Sequence, residues 1–159
     1  MEHKIMRDRQ LRFLKAKHTF MGLFNVYKYS PQASGVLERY ISIYDELTHD
    51  FYPEITGMYD DALNNFKAYS QKRLKGHVPI RWFMRLNICL PREEIIAQLR
   101  VALDELMSFG IYYYDIHYKN VLWNGKTIKL IDMDWTVIDN ERYFYFIYYD
   151  LVDFILELY

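Results

Sequence analysis

The chain reads as an α+β protein on three observations. Period-2 apolar fragments recur through the first 72 residues. Two longer stretches, Val36–Leu47 and Ile95–Met107, repeat apolar residues at helical spacing. A third stretch, from Val121 to Ile131, is two β-branched arms joined at Asn124-Gly125, the pattern of a hairpin with a tight turn.

The gross numbers narrow the class. At 159 residues the chain suffices for one domain with a real core, and 52% hydrophobic against 26% charged residues reads as globular rather than disordered. A net charge of -1 gives no general attraction to nucleic acid or to an anionic membrane. The single cysteine, Cys89, excludes an internal disulfide and a cysteine-cluster metal site. Residues 1–17 are too charged for a signal peptide, and no apolar run reaches the ~18 residues of a membrane span. A reducing, cytoplasmic setting is the expectation.

Residues 1–10 are charged and read as a frayed end or short helix. Leu11–Lys17 and Thr19–Tyr29 read as two strands, from Leu11/Phe13 and Phe24/Val26, with Gly22 near a turn. Ser30-Pro31 is a helix start, a cap residue followed by proline in the first turn. Val36, Leu37, Tyr40, Ile41, Ile43, Tyr44 and Leu47 then make one wide apolar face. Phe51–Tyr59 and Phe66–Lys72 read as strands, with Asp60-Asp61 and Asn64-Asn65 in the turn region. Pro91 opens the clearest helix: Glu93 and Glu94 complement its dipole, Ile95, Leu99, Leu103 and Leu106 line its core face, and Gly110 stops it. A last helix is expected over Tyr149–Leu158.

The densest chemistry lies between Gly110 and Trp135. Asp115, His117 and Asn120 fall within six positions, and the second hairpin arm ends on Asp132, with Asp134 two places on. Acids and an amide at strand ends, ahead of tight turns, are where a metal and a phosphate are held. Asp115-Ile-His-Tyr-Lys-Asn120 resembles the catalytic loop of the protein-kinase superfamily, and Lys129-Leu-Ile-Asp132 resembles its metal-binding strand end. The Asp-x-His-x-x-Asn style and Asp132-Met-Asp134 are closer to RIO kinases, aminoglycoside phosphotransferases and bacterial sugar or lipopolysaccharide kinases than to large Ser/Thr kinases.

The resemblance implies a truncated two-lobed kinase-like fold: a small antiparallel sheet with one helix over residues 1–73, a hinge at 74–76, and a shortened, mainly helical lobe over 77–159 ending at its central helix. It implies ATP and Mg2+ as cofactors and an unidentified hydroxyl of a protein or small molecule as phosphate acceptor. Asp115 would orient the acceptor hydroxyl, Lys119 would reach the transferred phosphate, and Asn120 and Asp132 would hold the metal. Lys28 would offer a cation to the α- and β-phosphates; the alternative is a solvent-facing lysine on an edge strand. The helix glutamate that pairs with such a lysine is unassigned, with Glu38, Tyr40 and Glu46 as candidates. Asp134 is either a second metal-site acid or a surface turn acid, and Asp150 either braces the catalytic loop or caps a helix.

Departures from the family pattern leave a second class open. No Gly-rich loop precedes Lys28, where only Gly22 is available, and Tyr113-Tyr114 replaces the usual His-Arg. A pseudokinase that binds nucleotide or protein without phosphotransfer fits these features, with the aromatic run Tyr143–Tyr149 as a partner surface. Packing of those rings against the core is the expected alternative for most of them. A hydrolase metal site built from the acids and His117 is a third class, which leaves the order of elements unexplained.

Overall fold

The computed structural model describes residues 3–5, 12, 14, 17–30, 34–61, 66–134 and 136–159. The expectations at Leu11, Phe13, Pro31, Asn64-Asn65 and Trp135 lie outside them. The chain divides into two compact units, one of residues 1–44 and 53–75 and one of residues 45–52 and 76–159.

The first unit is a five-stranded sheet in the order β1-β4-β5-β3-β2. Its strands are β1 (His3–Ile5), β2 (Thr19–Met21), β3 (Asn25–Tyr29), β4 (Ile55–Asp61) and β5 (Phe66–Lys72). All pairings are antiparallel except β1 with β4, which is parallel. β1 corrects the expectation of a frayed or helical end: a charged tripeptide with no strand signal of its own is recruited by the open edge of β4. Arg12, Leu14 and Lys17 are helical, which corrects the strand expected over Leu11–Lys17. Leu14 is buried with Ala68, and Phe20, Tyr27, Tyr29 and Tyr59 pack against them. Tertiary burial of Leu14 outweighs the short alternating pattern.

Thr19–Tyr29 is a hairpin, not one strand, with Gly22–Phe24 as its turn and the Gly22 N–H donating to the Asn25 carbonyl at 2.8 Å. The fourth strand starts at Ile55 rather than Phe51 and runs through Asp60 and Asp61, which are strand residues and not a turn. Helix α1 (Ser34–Ile43) buries Leu37, Tyr40 and Ile43 and passes into a 3-10 turn at Tyr44–Glu46.

The second unit holds strands β6 (Val78–Pro79), β7 (Ile111–Tyr113), β8 (Val121–Trp123), β9 (Ile128–Leu130) and β10 (Thr136–Ile138). They form a three-stranded sheet, β6-β8-β9, and a two-stranded ribbon, β10-β7. Helices α2 (Ile80–Arg85), α3 (Arg92–Ser108) and α4 (Tyr143–Leu158) complete it. The β8–β9 turn is local chemistry: Asn124 Oδ1 accepts from the Lys126 and Thr127 N–H groups at 2.9 and 2.7 Å, and Gly125 has φ +95°. α3 follows its periodicity, burying Ile95, Leu99, Ala102, Leu103 and Leu106. Each of the buried Ile and Leu side chains contributes ~1.5–3 kcal/mol of transfer free energy.

Residues 45–52 group with this second unit because hydrogen bonds draw them there. The Leu130 N–H donates to the Phe51 carbonyl at 2.8 Å, and the Tyr52 hydroxyl donates to the Ala102 carbonyl at 2.9 Å. Buried Lys129 binds the Asp50 carboxylate.

Gly110 stops α3 in a left-handed conformation, φ +73°, and a Cβ there would lie 2.1 Å from Asp139 Oδ1. Asp139 can rotate away, but the backbone strain stays. Gly110→Ala is therefore expected to lower stability by ~1–2 kcal/mol, read as an earlier urea midpoint with unchanged slope.

Candidate phosphotransfer site

Four of the five site residues expected from sequence, Asp115, Lys119, Asn120 and Asp132, belong to the second unit, and Lys28 belongs to the first. Lys28 is partly buried on β3, between β5 and β2, so the edge-strand alternative does not apply. Its ladder partners are Tyr69 and Thr19. Alternation places it on the face opposite Tyr27, Tyr29 and the Leu14–Ala68 cluster. On the same strand ladder Gln71 is buried, and its Oε1 has no hydrogen-bond partner.

Of the helix residues considered opposite Lys28, Tyr40 is fully buried and donates its hydroxyl to the Pro53 carbonyl at 2.5 Å. Glu38 and Glu46 are both exposed.

The loop from Asp115 to Asn120 is tied by its own polar groups. Asn120, 4% exposed, donates Nδ2 to Asp115 Oδ2 at 2.5 Å and to the Asp115 carbonyl at 3.2 Å. The Asn120 N–H donates to the His117 carbonyl at 2.9 Å. His117 Nδ1 accepts the Lys119 N–H at 3.2 Å, which puts the ring proton on Nε2, 3.4 Å from Asp115 Oδ1. Asp115 is thus held from both oxygens, with about a third of its side chain exposed. Lys119 is exposed.

The same loop is fastened to the strand end that carries Asp132. The Ile131 N–H donates to the Asn120 carbonyl at 3.1 Å, one residue beyond the Val121–Leu130 pair. Asn120 and Asp132 therefore lie at the same end of the β8–β9 hairpin. Asp132 has φ +61°, a left-handed conformation that Asp tolerates better than most residues and that turns the chain sharply off β9. Asn120 spends its Nδ2 on Asp115, and amide and carboxylate oxygens are the donor types that hard cations take.

Tyr113 was not read as a site residue, yet it joins the two loops. It is fully buried and donates its hydroxyl to the Ile131 carbonyl at 2.7 Å, next to Asp132, and Asn120 hydrogen-bonds to the same hydroxyl. Burial first, then the charges of Asp115, Asp134 and Asp150, pushes its phenol well above the usual range. The sequence signal was only an apolar strand position directly before the loop.

Asp150 supports the loop from the far side. Its carboxylate takes a backbone hydrogen bond from Ile116. Burial, then Asp115 and Asp153, pushes this carboxyl up, against the opposing pull of the Ile116 bond and His117. The cap alternative fails because α4 begins at Tyr143, two turns earlier than expected, leaving Asp150 inside the helix.

Glu105 was also missed. It clamps the 45–52 segment onto α3, taking the Thr48 N–H and Thr48 hydroxyl, each at 2.6 Å, the Tyr52 hydroxyl at 2.8 Å and His49 Nδ1 at 3.1 Å. Among the described residues no group of three or more His, Cys, Asp or Glu is arranged to hold a metal. No helix among the described residues is long and apolar enough to cross a membrane.

No family model matches the sequence, and no curated protein matches it either. Solved structures do. A crystal structure of monomeric WbdD superposes with a TM-score of 0.64 at 18% identity, covering 88% of this chain and 36% of that one. A second structure, described as that of the bifunctional kinase-methyltransferase WbdD, gives 0.65 at 18% identity over 88% of this chain and 34% of that one. A third, WbdD with a kinase inhibitor, gives 0.57 at 19% identity over 76% of this chain and 31% of that one. This chain spans about a third of the length of those proteins. The likeness shows a fold shared with part of those proteins, a mixed α/β architecture with small sheets, and carries nothing finer.

Proposed function

We propose that the chain is an atypical kinase that moves the γ-phosphoryl group of ATP to a hydroxyl of a protein or small molecule. The observation that carries this reading is the fastening of Asp115, Asn120 and Asp132 to one hairpin end. Phosphoryl transfer is mostly positioning and charge neutralisation, so a rigid acid, a neutral oxygen donor and a second acid are the parts it needs. Asp115 orients the acceptor hydroxyl and takes its proton as the new P–O bond forms. Lys119 offsets charge on the transferred group. Asn120 Oδ1 and the Asp132 carboxylate hold Mg2+, which supplies charge neutralisation when bound. Lys28 offers its cation to the α- and β-phosphates.

One observation favours the alternative, a pseudokinase that binds nucleotide or protein without transfer. The hairpin turn before Lys28 is three residues long with one glycine, and Leu23 and Phe24 stand exposed in it. Such a turn offers few backbone N–H groups to phosphates.

A thermal shift read beside transfer of label separates the readings. With ATP and Mg2+ at ten times Kd the kinase reading expects Tm to rise by ~3–6 °C, and Lys28→Met to remove most of that rise. A rise without transfer of label to any acceptor supports the pseudokinase. Absence of a rise at millimolar nucleotide sinks both nucleotide readings.

A further inference from the structure

Positive charge is segregated along this chain. Residues 77–92 carry Arg81, Arg85 and Arg92 and no acid, and the next carboxylates, Glu93 and Glu94, lie in the first turn of α3. α2 sorts its residues by face. At 100° per residue Ile80, Phe83 and Met84 fall on one side, and Arg81, Trp82, Arg85 and the cap residue Leu86 fall on the other. Ile80 is fully buried, whereas Trp82 is 42% and Leu86 66% exposed. Ile88, in the loop that follows, is exposed as well. The two arginines run along one edge of the outer arc, and Trp82 and Leu86 along the other.

The arginines are not neutralised within the fold. Their guanidiniums stand over the Trp82 ring, 5.1 and 5.3 Å from its centroid, and among the described residues neither is in an ion pair. Backbone bonds hold the patch in shape. The Arg81 N–H donates to the Tyr118 carbonyl at 2.9 Å, the Leu86 N–H to the Trp82 carbonyl at 3.0 Å, and the Ile88 N–H to the Phe83 carbonyl at 2.9 Å.

We infer that the outer face of α2, with Ile88 after it, docks on the surface of an anionic lipid bilayer. Lipid phosphates neutralise Arg81 and Arg85, while Trp82, Leu86 and Ile88 enter the boundary between headgroups and acyl chains. Arginine stems lie along apolar surface and keep their charge at the phosphates, which suits bases on one edge and apolar side chains on the other. A nucleic acid fits this face less well. It would stack a base on Trp82, where the guanidiniums already stand, and would gain nothing from Leu86 and Ile88. A protein partner fits less well in size: a stable interface draws on ~20–30 residues a side, and this patch is under two turns of helix and a short loop. The net charge of -1 does not oppose the docking, because charges beyond ~10 Å are screened and the local patch is what meets the headgroups.

Co-sedimentation of the full chain with vesicles tests this, using phosphatidylcholine alone and phosphatidylcholine with ~30% phosphatidylglycerol. Pelleting is expected with the anionic vesicles only, with a blue shift of tryptophan emission that Trp82→Phe removes. Raising salt from ~50 to ~500 mM should release most of the protein. Arg81→Gln with Arg85→Gln should weaken binding about thirtyfold, and Leu86→Asp should abolish it, each with unchanged circular dichroism. Arg100→Gln with Lys126→Gln removes the same charge elsewhere in the second unit and should leave binding within about twofold of the parent. No pelleting with anionic vesicles at low salt, equal pelleting with neutral ones, or a double arginine variant that binds like the parent overturns the proposal. So does a control variant that weakens as far as the arginine one, or a single-stranded RNA that binds while the vesicles do not.

Discussion

Asp132→Asn is expected to reduce ATP-dependent phosphorylation about 100- to 1000-fold while leaving the urea midpoint nearly unchanged. The choice of asparagine matters. Asp132 sits at φ +61°, and Asn is the other residue with a side chain that accepts this conformation at little cost. The substitution therefore removes one negative charge and leaves the turn off β9 intact. Asp132→Ala would mix two effects, adding ~1 kcal/mol of backbone strain to the lost ligand. A metal ligand supplies several kcal/mol of charge stabilisation in the transition state, and each ~1.4 kcal/mol lost costs tenfold in rate. Incorporation of label that is equal in the parent and in Asp132→Asn removes the kinase reading. Equal loss of activity and of stability moves Asp132 from metal binding to fold support.

Parts of this arrangement were legible before any coordinates. Asp115 and Asn120 are hydrogen-bonded and Asp132 follows the same hairpin end, because a six-residue loop and a hairpin are local structures, set by turn chemistry such as the Asn124 side chain accepting two backbone N–H groups. α3 was legible because its apolar face repeats cleanly over seventeen residues. What failed was non-local. β1 is a strand only because β4 has an edge to offer. Tyr113 looks like any core aromatic until its hydroxyl is found on the Ile131 carbonyl. The Tyr143–Tyr149 run has the aromatic content of a strand or core, yet on α4 its Phe144, Tyr145, Phe146, Tyr148 and Tyr149 are exposed, because the apolar Ile147, Phe154 and Leu158 suffice to anchor the helix. The start of the fourth strand was misplaced because Asp50, Phe51 and Tyr52 are claimed by partners in the second unit, which no periodicity reveals.

Glu105 carries the largest expected effect on stability. Its side chain is 10% exposed. Burial alone would push its carboxyl up, but hydrogen bonds from the Thr48 side chain and backbone, Tyr52 and His49 outweigh burial and hold it at about 2. Burial and the Glu105 carboxylate in turn push the Tyr52 phenol far up. A carboxyl depressed on folding stabilises the folded state above its unfolded pKa, and that contribution drains away as pH falls through the folded value. The window is therefore about pH 4.5 down to about 2, and the contribution above it is ~3 kcal/mol, an upper figure for a group near the surface. Glu105→Gln keeps the shape but lacks the charge, so it should lose ~2–3 kcal/mol at neutral pH and flatten the acid limb of the stability curve. Glu105→Ala should lose more, because it removes the acceptor shared by the Thr48 N–H and hydroxyl, whereas Tyr52 keeps the Ala102 carbonyl. Urea unfolding of the parent and Glu105→Gln between pH 7 and pH 3 decides it: parallel pH profiles would mean that the clamp works by packing and not by its charge.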